Sequence, residues 1–467
     1  MKSDSYSNED SRREDMAQIP WKTVRFGDLI LGKPRHGLYK GPEFFGEGVK
    51  IIKMGPQMEL DRITSMEISD RVRLTKSELS RFQVLQNDLL FLRTSLVMKG
   101  TGKCSIVTMC EEPMVFVSNL IAVTLVESAD PEFYYYFFKS QLGRQTILSI
   151  VEQTAAATLR SSDLIELKVP SAPLLSQRSV SKILSDLDSK IELNKQMNKT
   201  LESIAQAIFK SWFVDFDPVR AKMAREPPES ICKRLKLTPE ILDMFPNRLV
   251  VSELGEIPEG WEVKSLGELV NIIRGRSYES KDLRESETAL VTLKSFERGG
   301  GYRFDGLKPY TGTYKPEQLL HSGDILIATT DLTQEAAVIG RPITIRGNTR
   351  YHNLVASLDT IIVRPVNSSL NRIYLYYLCA TNLFVSHTST YVTGTTVLHL
   401  SKEAISSFRF ALPTHNIVDI FQRNVSLLLK RNEVIETENE HITSIRDTLL
   451  PKLMSGKIRV PVGDANE

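Results

Sequence analysis

Between residues 180 and 212, buried-type positions recur at alternating steps of four and three: Val180, Leu184, Leu187, Ile191, Asn194, Asn198, Leu201, Ala205, Ile208 and Trp212. That is a heptad seam, and it predicts a long central coiled-coil helix over 174–214. Asn194 and Asn198 lie on the seam itself, where a polar residue costs stability but selects one register and one partner. At roughly 1.5 Å per residue the stretch from Ser176 to Trp212 would span about 55 Å. A core helix of a single globular domain is the alternative reading of this stripe. Further on, Phe421, Leu428, Ile435, Ile442 and Leu449 recur every seven residues, predicting a second helix over 414–456 with Gly456 as its stop. Two matching stripes in one chain can pair with each other. An antiparallel pairing is expected, because a closed two-fold requires its two halves to face opposite ways.

Ahead of each seam the pattern changes to short β-branched and aromatic runs, such as Cys104–Thr108 and Val115–Val117, separated by Gly, Pro and Asn clusters. A helical stretch follows from Pro131 to about Val151, so 19–173 reads as a mixed α/β (α+β) domain. Residues 257–413 repeat the pattern, with Thr360–Val363 as the clearest strand and a helix from Asn371 to about His387. The connector over 215–256 is dense in punctuation: Asp217-Pro218, Pro227-Pro228, Pro239, Pro246, Gly255. It is long for a loop, so partial order against the helices is expected. Residues 1–18 are polar and are expected to be disordered; 457–467 form a tail.

The two α/β stretches are copies. Ile19-Pro20-Trp21 before Gly27-Asp28-Leu29 returns 240 residues later as Trp261 before Gly267-Glu268-Leu269. Further pairs follow in the same order: Asn87-Asp88-Leu89 with Gly323-Asp324-Ile325, Gly102-Lys103 with Gly340-Arg341, Asn119-Leu120 with Asn353-Leu354, Tyr134–Phe137 with Tyr374–Tyr377, Thr154–Leu159 with Thr393–Leu398, and Pro173 with Pro413. The period is too long for a solenoid, so whole domains are duplicated. A pseudo-two-fold molecule suits a target that itself comes in two halves.

Composition changes this picture little. The 467 residues carry a net charge of +2, with 41% hydrophobic and 25% charged residues, ordinary values for a globular chain of two or three domains. A basic binding face would therefore have to be local. Cys104, Cys110, Cys232 and Cys379 form no CxxC and read as reduced thiols in a cytoplasmic protein. No apolar run approaches a membrane-spanning length.

Catalytic patterns are missing. Gly100-Thr101-Gly102-Lys103-Cys104 superficially resembles a phosphate loop, but Val97 stands where the leading glycine belongs and Cys104 where a Mg²⁺-binding hydroxyl belongs. There is no GxGxxG after a strand, no HExxH and no metal-ligand spacing. Asp215-Phe216-Asp217 sits at a helix end, where a turn role suffices. The expectation is a chain that binds, with no cofactor and no metal of its own.

What it would grip is suggested by basic and polar residues near turns. In the first domain these are Lys33, Arg35, His36, Lys40, Arg93, Thr94, Ser95, Lys99, Lys103 and Arg160. In the second they are Arg274, Arg276, Lys294, Arg298, Arg303, Thr329, Thr330, Arg341, Arg346 and His399. Lys and Arg neutralise phosphates, and Arg pairs bidentately with guanine in the major groove. Taken singly, each reads more readily as solvated surface. The stronger candidates occupy matching places: Arg93-Thr94-Ser95 with Thr329-Thr330-Asp331, Lys103 with Arg341, and Arg160 with His399.

Ser176-Gln177-Arg178, Ile191–Gln196 and the run Leu201–Lys222, with its Lys210-Ser211-Trp212-Phe213-Val214-Asp215-Phe216-Asp217-Pro218, resemble the central region of the DNA-specificity subunit of type I restriction-modification enzymes. Phe245-Pro246 and Ser252–Trp261 are similar to that family's passage into its second recognition domain. Leu450–Gly456 is similar to its C-terminal helix ending. The first copy departs by lacking the Glu-Gly found at Glu259-Gly260. The resemblance implies a non-catalytic part of a restriction enzyme and adenine-specific methyltransferase complex. Each domain would read one half of a split double-stranded DNA site, and the helices would act as a ruler for the gap. They would also dock two methyltransferase (modification) subunits, with or without translocating nuclease subunits. The methyl donor and ATP would bind those partners. A coiled-coil scaffold with two protein-binding heads remains the alternative, and an enzyme with an unrecognised site a third.

Overall fold

A computed structural model describes residues 21–55, 60–153, 156–298, 300–331, 336–347, 350–367, 370–395 and 397–461; the stretch 1–18 lies outside them. The chain divides into two compact units, and each takes a share of both long helices: 1–195 with 436–467, and 196–435.

In unit 1 the central sheet contains β1 (Arg35–His36), β2 (Arg62–Thr64), β3 (Leu89–Leu92), β5 (Cys104–Met109) and β6 (Leu120–Val123), with β4 (Thr94–Ser95) leaving β3 for a separate small sheet. The central order is β1-β6-β3-β5-β2. Leu89, Leu90, Phe91, Ile106, Val107 and all of β6 are buried. Such near-continuous apolar runs belong to strands covered on both faces. Helix α1 (Pro131–Lys139) packs Phe133, Tyr134, Phe137 and Phe138 against one face, and α2 (Gln141–Leu148) follows it. The small sheet is β4 with β7 (Glu152–Gln153) and β8 (Ala157–Thr158). Strands Lys22–Arg25 and Lys168–Ser171 pair antiparallel and close the domain.

Unit 2 repeats this plan. Its sheet of β9 (Val270–Arg274), β10 (Ile325–Ala328), β12 (Pro342–Thr344) and β13 (Thr360–Pro365) has the order β9-β13-β10-β12. Its small sheet joins β11 (Thr330–Asp331), β14 (Val392–Thr393) and β15 (Leu398–Leu400), and its aromatic helix is α4 (Arg372–Ala380), followed by α5 (Asn382–Ser389). Strands Glu262–Ser265 and Arg409–Leu412 close it as in unit 1.

One sequence match needs correcting. Leu120 pairs with Leu92, and Thr360 pairs with Ala328, so Asn119 corresponds to Asp359. Asn353–Ala356 pairs parallel with Thr288–Val291, as Met114–Phe116 pairs parallel with Phe45–Ile52. Two unrelated Asn-Leu dipeptides had aligned.

The long helices are α3 (Leu174–Phe213) and α6 (His415–Ser455). Within unit 1, Asp188 pairs with Arg446 at 2.7 Å, and Asn194 Nδ2 donates to Asn439 Oδ1 at 2.9 Å. Within unit 2, Phe209 meets Phe421 at 5.4 Å between ring centroids. The partner number falls as α3 advances, so the helices run antiparallel. Val180, Leu184, Ile191, Asn194, Ala205 and Trp212 are buried, and Leu187, Asn198, Leu201 and Ile208 are half-buried. On α6, Phe421 and Ile435 are buried, while Leu428, Ile442 and Leu449 are half-buried. The α6 seam has a second row, Val418, Val425, Asn432, Asn439 and Arg446. Three of its five members are polar, which hides it from a search for apolar repeats.

The connector is ordered. Helices Asp217–Met223, Pro228–Leu235 and Pro239–Asp243 each carry a proline in the first turn, where its fixed φ suits a helix start and no N–H is lost from the ladder. A hairpin, Leu249–Ser252 with Gly255–Pro258, completes it.

Candidate nucleic-acid interface

The strand polarity of the central sheet brings most of the predicted residues to one end of unit 1. Strand β1 finishes at His36 opposite Ile121, β3 finishes beside the start of β6, and β5 begins beside the end of β3. The chain leaving β3 is then tied down on every side. Arg93 N donates to Asn119 O at 2.8 Å, Leu92 N to Lys103 O at 2.9 Å, and Gly102 N to Leu92 O at 2.7 Å. Thr94 pairs with Thr158 and Ser95 with Ala157, while Leu159 N donates to Arg93 O at 2.8 Å. His36 Nε2 lies 3.0 Å from Ser161 Oγ. One sheet end therefore holds His36, Arg93, Thr94, Ser95, Lys103 and Arg160.

The same hydrogen bonds recur in unit 2. Ala328 N donates to Arg341 O, Gly340 N to Ala328 O, Thr329 N to Asp359 O, and Leu400 N to Thr329 O. Thr330 pairs with His399, and Thr330 Oγ1 donates to Asp359 Oδ1 at 3.1 Å. Arg274 faces Ile361 as His36 faces Ile121, so an arginine replaces the histidine. Arg276 N donates to Ala356 O as Leu38 N does to Phe116 O. Arg274, Arg276, Thr329, Thr330, Arg341 and His399 thus form the equivalent end. The glycines behind Lys103 and Arg341 are obligatory. Gly102 and Gly340 have φ of +69° and +73°, and a Cβ would come within 2.1 Å of Ile147 Cγ2 and 2.6 Å of Thr388 Oγ1. The likeness of 100–104 to a phosphate loop comes from this backbone requirement.

The Arg35 side chain is engaged with a buried carboxylate. Its guanidinium donates to Gln83 O and pairs with the fully buried Asp88, which also accepts from Thr124 Oγ1 and Leu85 N. In unit 2 the buried Asp324 is served by Arg364 and Arg372. The recurring aspartate is thus a structural anchor, and Arg35 is its counter-ion.

Electrostatically the unit 1 face is open. Arg93, Lys99 and Lys103 form no ion pair among the described residues, whereas Arg160 pairs with Glu152 at 2.5 Å in an exposed setting. Burial, and then the neighbouring Arg93 charge, hold the His36 imidazole below its ordinary range, so it is neutral at pH 7. Burial pushes the Cys104 thiol far up, leaving it protonated. Such a face offers N–H and O–H donors, cations and a titratable ring, suited to phosphates and base edges. Sequence reasoning left out Ser161 and Asp359 and matched Asn119 with Asn353; the constant offset of 240 between Asn119 and Asp359 was the available signal.

The model of the type I restriction modification DNA specificity domain matches this chain twice, over 18–203 and 258–443. The chain belongs to that family. Each match spans one recognition domain and most of the helix after it, and the two are offset by the same 240 residues as the repeat. Among relatives of this family member, the type I restriction enzyme HindI specificity subunit of Haemophilus influenzae is 26% identical, over 70% of this chain and 77% of its own. The MjaIX specificity subunit of Methanocaldococcus jannaschii is 23% identical, over 79% of each. A type I restriction-modification S subunit structure from M. genitalium covers 94% of this chain and 96% of its own, at 16% identity and a TM-score of 0.47. Among the described residues of this specificity-domain protein, no helix is long and apolar enough to cross a membrane, and no group of three or more His, Cys, Asp and Glu is placed to hold a metal ion.

Proposed function

We propose that this chain is the non-catalytic DNA-recognition subunit of a cytoplasmic type I restriction-modification complex, each repeat reading one half of a bipartite double-stranded site. The observation that carries this is the twice-built sheet end: one hydrogen-bonded frame, presenting His36, Arg93, Thr94 and Lys103 in unit 1 but Arg274, Thr329, Thr330 and Arg341 in unit 2. A shared frame with different side chains is what two modules reading different sequences require.

The helices would set the gap between half-sites and dock two methyltransferase subunits, which would hold the methyl donor; nuclease subunits, where present, would join through that assembly. Exposed aliphatics on the outer helix surfaces support the docking role. Leu193, Met197 and Ile204 on α3 are 55%, 39% and 43% exposed, and Leu427 and Val434 on α6 are 68% and 58% exposed, at spacings of four and seven. Such spacings suit the helices of a partner. A scaffold with protein-binding heads would account for those stripes but not for two matching cationic sheet ends.

The test is the salt dependence of binding by the assembled complex. Arg93→Ala and Arg274→Ala should each weaken binding and lower the slope of log K against log salt by about one. Slopes unchanged in both variants would remove these faces from the DNA interface.

A further inference from the structure

The turn after β4 presents aliphatic side chains where a cationic face would be expected to be wholly polar. Leu96 is 91% exposed and Val97 65% exposed. The turn is nevertheless braced. Gly100 N donates to Val97 O at 2.9 Å, Val97 N to Ser95 Oγ at 3.2 Å, and the Arg144 guanidinium to Lys99 O and Thr101 O at 2.9 and 3.0 Å. Below it, Thr101 Oγ1 donates to Ala157 O at 3.2 Å, tying the turn to the strand that pairs with β4. The apolar tip is therefore held in place by its base.

Its surroundings choose the occupant. The tip follows directly from Ser95 in the small sheet, three residues after Arg93, and the exposed Lys99 and the half-buried Lys103 follow within seven residues. An apolar protein surface would meet unpaired cations at the rim. A polyanion whose groove displays isolated apolar groups fits both features, and in duplex DNA the apolar group of the major groove is the thymine 5-methyl.

We propose that Leu96 and Val97 form a specificity contact with a thymine methyl in the half-site read by unit 1. This rests on the DNA-reading function proposed above. It adds a feature of the sequence read: at least one A·T pair at a fixed place in that half-site, recognised by methyl contact.

The experiment uses the assembled complex and a duplex bearing its site, with each thymine of the unit 1 half-site replaced in turn by deoxyuridine, which lacks only the methyl. Wild type should lose about fourfold in affinity at one position, the worth of burying one methyl-sized group. Leu96→Ala with Val97→Ala should bind the thymine duplex correspondingly more weakly and be indifferent to deoxyuridine there, while Leu96→Met should keep the discrimination. Indifference of wild type to every replacement, an unaltered discrimination in the double variant, or a half-site without thymine would each overturn the contact. Failure of the double variant to assemble with its modification subunits would also overturn it, assigning the tip to a protein interface. Absence of binding by wild type to any duplex would instead remove the underlying function, and the contact with it.

Discussion

Phe421→Ala probes the helix seam where its consequences are largest. Phe421 is fully buried in unit 2, with ring centroids at 5.4 Å from Phe209, 5.3 Å from Phe213, 5.8 Å from Tyr377 and 6.2 Å from Trp212. All four pairs are edge-on, the arrangement that adds electrostatic attraction between rings to the area buried. Truncation removes a ring from a site walled by other large rings, which cannot collapse to fill it. A loss of about 4 kcal/mol follows, in the middle of the range for buried Phe→Ala changes. The assay is urea unfolding in a Trp21→Phe background, so that only Trp212 and Trp261, both in unit 2, report by fluorescence. With a urea m-value of about 3 kcal/mol/M, the midpoint should fall by roughly 1.3 M. A fall under about 0.3 M would refute the account of the seam as a packed aromatic junction.

Three further outcomes are expected. Arg35→Ala should destabilise unit 1 by about 2–4 kcal/mol, because Asp88 is left buried without its cation; an unchanged melting temperature with weakened DNA binding would return Arg35 to the interface. Lowering pH should tighten DNA binding more in wild type than in His36→Gln: phosphates favour the imidazolium, so binding takes up a proton that the free face resists. Identical pH profiles would exclude His36. One heptad inserted into both α3 and α6 keeps the seam in register and adds about 10 Å of helix, so the unspecified gap should grow by about 3 base pairs with both half-sites unchanged; an unaltered gap would end the ruler role.

The duplication and the seams were legible because periodicity survives divergence: Val180 to Trp212 repeats a spacing, and Trp21 and Trp261 each stand immediately before a closing strand. Less legible were polar members of the seam. Asn432, Asn439 and Arg446 occupy heptad positions, yet Arg446 is half-buried by its pairing with Asp188, a contact 258 residues away in sequence. Phe209 and Phe213 were missed because they pack on the aromatic helix of unit 2 as well as on α6, so they fall beside a two-helix stripe. At the candidate interface, sequence located the repeated landmarks correctly in Lys103 with Arg341 and in Arg93 with Thr329. It did not anticipate the pairing of Arg35 with Asp88, because that buried carboxylate is 53 residues distant and only the strand register brings them together.

The central claim, that this chain selects a split DNA sequence, is tested most directly by methylome sequencing of cells expressing it with its modification subunit, beside cells lacking only this chain. The account predicts a bipartite motif, two fixed half-sites around a gap of constant length, methylated solely when the chain is present. An intact co-purifying complex that leaves no new motif would contradict it.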